Sequence, residues 1–301
     1  MLTVVLALVA ALAYGASDFL GGRASTRAPV TTVAAVVQAT SLVLVLPVAA
    51  TVGPSMLDPS AGAGPALLWG LTSGLGGAVG TLFLYRGLAR ARVAVVAPLS
   101  GVLAAALPVL TALVAGERPS LITTVGIVAG LPAVWLIAGG GAAAAPDQVG
   151  RPRGVLEGIV AGLGFGFLFF ALDRAGDEAG LWPVAAGQAG ALVILGAAVL
   201  AAALAGHRPL PSRSTRAPGT AGPASGWLPV TVVSGTLAIV ANMAFFLATT
   251  QGLLTVAAVL TSLYPAGTVV LARFVLDERI SRSQVTGLAL AGIAVVLITL
   301  G

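Results

Sequence analysis

Gly116-Glu117-Arg118-Pro119-Ser120 and Asp277-Glu278-Arg279-Ile280-Ser281 are two versions of one charged corner, set 161 residues apart. At that offset the stretch from Tyr85 to Leu131 lies without a gap on Phe246 to Gly292, each copy running from an apolar helix through the corner into a second apolar helix. Eleven of the 47 aligned pairs are identical, but a chain rich in Ala, Val and Leu produces several of those by chance. The weight falls on the polar and glycine coincidences: Glu117/Glu278, Arg118/Arg279, Ser120/Ser281 and Gly126/Gly287, with Ser73-Gly74 over Ser234-Gly235 upstream. An internal duplication is expected, and it governs the reading of the rest.

Composition fixes the solvent. With 58% hydrophobic and 8% charged residues in 301, and long runs without an ionisable side chain, the chain reads as a polytopic membrane protein. The apolar runs are continuous rather than alternating, which predicts helices and not a barrel. The net charge of +5 comes from fifteen Arg and no Lys, clustered between apolar runs, a pattern of membrane orientation rather than of nucleic-acid binding. The absence of Cys excludes disulfides and thiolate chemistry. Nothing matches a zinc-protease motif or a phosphate-binding loop, and the single histidine, His207, falls in a polar Pro- and Arg-rich loop, so neither enzyme chemistry nor a cofactor nor a metal site is expected.

The fold class expected is an all-α membrane protein of ten transmembrane helices arranged as two inverted five-helix repeats. The spans run Leu2 to Leu20, Pro29 to Ala50, Pro65 to Leu84, Val93 to Ala115 and Leu121 to Ile137. Then follow Val155 to Leu172, Leu181 to Leu204, Trp227 to Ala248, Leu253 to Leu276 and Gln284 to Leu300. Residues 1–140 form the first repeat, 141–153 the linker and 154–301 the second. An odd number of spans per copy obliges the second to cross the bilayer in the opposite sense. Glycines at four-residue spacing, among them Gly158, Gly162 and Gly166, predict close helix packing. Pro98, Pro108 and Pro265 free backbone groups within spans and mark hinges, pocket wall or packing kinks. The two Glu-Arg corners, with Glu117 and Glu278, read as tight, charge-paired turns, and Ser281 with Gln284 has capping-box spacing.

A polar side chain in hydrocarbon is costly enough to need a role. Asp18 is the only acid well inside a span, with Tyr14 and Ser17 beside it; the alternative is an early helix end that leaves Asp18 at the interface with Arg23. Asn242 sits mid-span and either bonds between helices or faces a cavity. Ser262 and Tyr264 precede Pro265, while Gln38 and Gln188 occupy the second and seventh spans. Glu157 and Asp173 read as helix-end charges.

Val95-Val96-Ala97-Pro98-Leu99 followed by Glu117-Arg118, and Ser262-Leu263-Tyr264-Pro265 followed by Glu278-Arg279, resemble the EamA-type repeats of the drug/metabolite transporter superfamily. Tyr14-Gly15-Ala16-Ser17-Asp18-Phe19 stands where such proteins carry an aromatic-Gly-polar motif. The resemblance implies a central cavity lined by helices one, three, four, six, eight and nine, and passage of small metabolites. The expectation is a secondary transporter, exporter or permease, for a small polar or amphipathic metabolite in the plasma membrane. Its partners would be a small-molecule substrate and the lipid bilayer, with a coupling proton and a homodimer compatible with the architecture. A non-transporting scaffold or accessory subunit is the rival.

Twelve arginines lie in the odd-numbered loops against Arg118 and Arg174 in the even-numbered ones, which by the positive-inside rule places both termini outside, although relatives are generally described with both inside. A C-terminal alkaline phosphatase fusion should therefore be active and a C-terminal fluorescent-protein fusion dark; the opposite pair of signals would reverse the topology.

Overall fold

The computed structural model describes residues 1–52, 63–89, 93–139, 153–206, 226–275 and 281–301. All the regular structure among them is helical: α1 (Leu2–Ser25), α2 (Val30–Val52), α3 (Ala63–Ala89), α4 (Val93–Val114), α5 (Leu121–Gly139), α6 (Arg153–Arg174), α7 (Trp182–Leu204), α8 (Trp227–Thr250), α9 (Leu254–Thr261), α10 (Tyr264–Val275) and α11 (Arg282–Leu300). Helices stand at all ten anticipated spans, and the ninth is broken in two. Among the described residues, seven helices are long and apolar enough to cross a membrane, and shorter apolar helices cover Leu99–Val114, Leu121–Ile137 and Leu254–Thr268.

Burial is inverted relative to a water-soluble protein. Leu12, Val43, Leu110, Val193 and Leu204 are exposed on the outside, while Ser17, Ser41, Ser100, Asn242 and Thr261 are buried between helices. Apolar side chains gain nothing by leaving lipid, so close backbone approach and interhelical hydrogen bonds carry the association. At the α3–α6 crossing a Cβ on Gly76 would lie 2.5 Å from the Gly164 carbonyl oxygen and 2.7 Å from the Leu168 nitrogen. The row Gly158, Gly162 and Gly166 on α6 meets Leu99, Leu103 and Leu107 on α4, so these two helices run parallel. Gly126 meets Ile298 and Gly287 meets Ile137, which makes α5 and α11 antiparallel. α1 is antiparallel to α8, with Ser17 at Ser234 and Thr3 at Gly252, and it is parallel to α10 where Gly15 touches Tyr264.

The corner after α4 is a glycine-terminated cap. Gly116 has φ 100°, its N–H bonds to the Leu113 carbonyl at 3.1 Å, and the Glu117 N–H bonds to the Ala112 carbonyl at 3.0 Å. The left-handed conformation suits glycine, and these two bonds satisfy carbonyls left open at the helix end. The Ser120 Oγ then accepts the Thr123 N–H at 3.1 Å, starting α5. The reading of this corner as a charge-paired turn is corrected: no described ion pair joins Glu117 to Arg118, and the carboxylate turns away to cap another helix. Its Oε1 accepts the Leu254 N–H at 2.7 Å and its Oε2 the Thr255 N–H at 3.2 Å. Orphan amides at a helix N-terminus, where the dipole is positive, outcompete an exposed neighbouring arginine. Glu278 and Arg279 lie outside the described residues. The capping box at Ser281 forms: its Oγ accepts the Gln284 N–H at 3.2 Å, and its own N–H bonds to the Gln284 side chain at 2.8 Å.

The break between α9 and α10 follows from Pro265, which has no N–H to give the Thr261 carbonyl. The preceding turn tightens, the Leu263 N–H reaching the Leu260 carbonyl at 3.2 Å, and α10 starts with Pro265 in its first turn. α4, by contrast, is continuous through Pro98 and Pro108.

The glycine crossing makes a contrast that can be measured. Gly76→Ala should lower stability in detergent by about 1–3 kcal/mol, because backbone rather than a flexible side chain blocks the new methyl. Gly196→Ala, where a Cβ meets nothing within 4 Å, should leave the melting temperature unchanged.

Candidate functional site

A small, partly open cavity of about 30 Å³ lies within the bundle. Its walls come from α1, α2, α3, α6, α7 and α8. This differs from the lining that the family resemblance implies, because α2 and α7 stand where helices four and nine were expected. Gln38 on α2 and Gln188 on α7 both reach the wall, so with Asn242 on α8 three intramembrane carboxamides serve one space.

α1 supplies Tyr14, Ser17 and Asp18 to this wall. The helix continues seven residues past Asp18 to Ser25, and Asp18 is 8% exposed, with no described ion pair to Arg23. The interfacial alternative for Asp18 is thereby corrected. No described side chain or backbone group hydrogen-bonds its carboxylate. It is the only charged residue on the wall, and among the described residues no group of three or more His, Asp or Glu is placed to hold a metal ion.

Around the acid the polar side chains of α1 and α8 on the wall are paired. The Tyr14 hydroxyl donates to Asn242 Oδ1 at 2.9 Å, and Asn242 Nδ2 donates to the Ala238 carbonyl one turn back at 2.9 Å. Asn242 therefore both joins α1 to α8 and lines the cavity, where the sequence offered these as alternatives. One turn along, Ser17 Oγ donates to the Ser234 carbonyl at 2.9 Å and Ser234 Oγ donates to the Ser17 carbonyl at 2.8 Å, a reciprocal clamp. Tyr85 extends it, its hydroxyl lying 3.2 Å from Ser234 Oγ with the ring against Gly21, where any Cβ would overlap it. Behind Tyr14, Phe169 lies 5.9 Å from its ring and stacks on Phe245 at 4.2 Å.

Four of the six sequence-selected site residues thus meet on one wall: Tyr14, Ser17, Asp18 and Asn242. Two do not. Ser262 is fully buried and returns its hydroxyl to the Val259 carbonyl at 2.8 Å, and Tyr264 bonds to Ser100 across α10 and α4. Among the hinge candidates, Pro265 sits at the α9–α10 break, Pro108 lies inside α4, and the Pro98 side chain lies outside the described ones. Sequence reasoning missed the α3 face of Ser73, Gly77, Thr81 and Tyr85; their four-residue spacing within an apolar span is the signal that would have found it. Glu157 is likewise corrected: it is buried on α6, with Arg86 Nε 3.5 Å from its Oε1.

The EamA-like transporter family model matches residues 1–139 and 152–300. The chain belongs to that family. As a family member it is a multi-pass membrane protein, consistent with transport in the drug/metabolite superfamily. A solved crystal structure superposes with a TM-score of 0.72 at 18% identity, covering 99% of this chain and 96% of the other, a likeness of fold. No curated protein matches the chain.

The Tyr14–Asn242 bond can be weighed in this EamA-family chain by a double-mutant cycle. Tyr14→Phe, Asn242→Leu and the double variant, unfolded in detergent, should return a coupling energy of about 0.5–2 kcal/mol. A coupling of zero would mean that the bond contributes nothing to holding α1 on α8.

Proposed function

We propose that the protein is a secondary transporter that moves a small polar or amphipathic metabolite across the plasma membrane by alternating access through the α1–α3/α6–α8 cavity. One observation carries this reading: an unpaired carboxylate stands in a space whose wall is divided equally between the helices before and after residues 141–153. A purely structural bundle has no use for that arrangement, since an uncompensated buried charge costs stability.

The two halves, 1–140 and 154–301, act as inverted five-helix repeats. Support comes from corresponding contacts: α1 lies antiparallel on α8 as α6 lies antiparallel on α3, and α4 is parallel to α6 as α1 is to α10. Rocking of one half on the other changes which side of the membrane the cavity meets. The α9–α10 break at Pro265 is the flexible element, and Glu117, by capping α9, ties the end of α4 to it. Glu278 is the corresponding group of the second half by sequence. No phosphate-binding loop exists in the sequence, so uphill work comes from an ion or substrate gradient. A proton exchanging at Asp18 would couple the cycle, since no other charged side chain among the described residues lines the cavity.

The test is flux. A metabolite that raises the melting temperature of the purified protein should be carried saturably into proteoliposomes containing this chain alone. Asn242→Leu should reduce that flux at least tenfold while the protein remains inserted and folded. Stabilising ligands without any flux would support a scaffold or accessory role instead.

A further inference from the structure

Asp18 is more than nine-tenths buried, faces the cavity, and has no hydrogen-bond or ion-pair partner among the described residues. Two charge-assisted acceptors are thus held ready in a place where leaving them unmade is expensive. Among the described residues no arginine or histidine reaches the cavity wall, so none of them there compensates a negative charge before a ligand arrives. The donors nearest along the helix are committed elsewhere: the Tyr14 hydroxyl to Asn242, and the Ser17 hydroxyl to the Ser234 carbonyl. Gln188 lies on the same wall, and its enclosed Oε1 has no partner either, which leaves a second acceptor without a donor.

Beside the polar Gln38, Ser73 and Thr81, the wall carries apolar and aromatic side chains. Val37, Leu168, Leu172 and Val184 contribute aliphatic surface, and Phe165 and Tyr85 contribute rings. We infer that, granted the transport reading above, the substrate is a monovalent organic cation bearing N–H donors, a protonated amine with an apolar body.

Each alternative ligand class fails on a specific group. An anion would meet Asp18 with no cation to offset the repulsion. A neutral polyol could donate hydrogen bonds but brings no charge to displace the proton that Asp18 takes up in a low-dielectric site. A quaternary ammonium would balance the charge but has no N–H for the carboxylate, and the hydroxyl-pinned rings of Tyr14 and Tyr85 do not form the closed aromatic cage that such ligands use. A bare metal ion would find one carboxylate where several oxygen ligands are needed.

The experiment uses four isosteric probe series on the full-length protein in detergent: phenylalkylammonium ions of two to four methylenes, their N,N,N-trimethyl analogues, the matching phenylalkanols and the matching phenylalkanoates. Binding is read by calorimetry, and counterflow is read in proteoliposomes. The ammonium series should bind at least tenfold more tightly than every other series at one or more chain lengths. Asp18→Asn should abolish that preference, and Asp18→Glu should retain it in part. Absence of an ammonium preference in the wild type at all lengths, or a preference that persists in a folded Asp18→Asn protein, overturns the inference. Should Asp18→Asn not fold, the wild-type series alone decides. The two readings also fail separately: selective ammonium binding without counterflow removes the transport reading and keeps the ligand class, whereas counterflow of other solutes without ammonium preference does the reverse.

Discussion

Within hydrocarbon a backbone amide or carbonyl that loses its helical partner has no water to turn to, and the architecture answers to that constraint. The regular helices meet it internally. The ninth span cannot, because Pro265 removes a donor in the middle of the membrane-crossing stretch. The two pieces of the broken span are anchored by residues far away in sequence: Glu117 takes the orphan amides of Leu254 and Thr255 at the start of α9, and Thr268 on α10 donates its hydroxyl to the Gly15 carbonyl at 3.1 Å. The broken helix is therefore held from α1 and from the end of α4 at once. A single carboxylate at a corner that looks like a surface turn becomes the tie between the two parts of the chain.

The same constraint explains why small residues and hydroxyls do the work that leucines do in water. α3 can lie on α6 because glycine faces glycine, and α1 can lie on α8 because two serines exchange hydroxyl bonds with each other's backbones. Each such bond is worth only about 1 kcal/mol in a membrane. The cluster around α1 is correspondingly dense, with Tyr14, Ser17, Tyr85, Ser234 and Asn242 joined in two short networks. Asp18 stands between them without a share in either. Pairing the hydroxyls and the Asn242 carboxamide around it while leaving the one charge open gives the cavity its chemical character.

Some of this was legible beforehand. The ten span positions follow from apolar length, and the capping box at Ser281 follows from residue type and spacing, because both depend on groups within a few residues of one another. Tyr14, Ser17, Asp18 and Asn242 could be selected because polar residues in apolar runs are rare. Ser262 and Tyr264 were selected on the same ground and fall elsewhere, since rarity says that a side chain needs a partner but not which. The Ser262 hydroxyl finds one in its own helix and Tyr264 finds Ser100.

The sequence by itself determined the solvent, the helical class, the family and the presence of an acid deep in the first span, because composition and short-range pattern suffice for each. Tertiary structure alone decided that α2 and α7 line the cavity, that Gln38 and Gln188 share it, that Glu157 is buried against Arg86, and that Glu117 caps α9. These depend on which helix lies beside which. In an apolar solvent that choice rests on glycine crossings and single hydrogen bonds between residues as far apart as Tyr14 and Asn242, and no local pattern encodes such pairings.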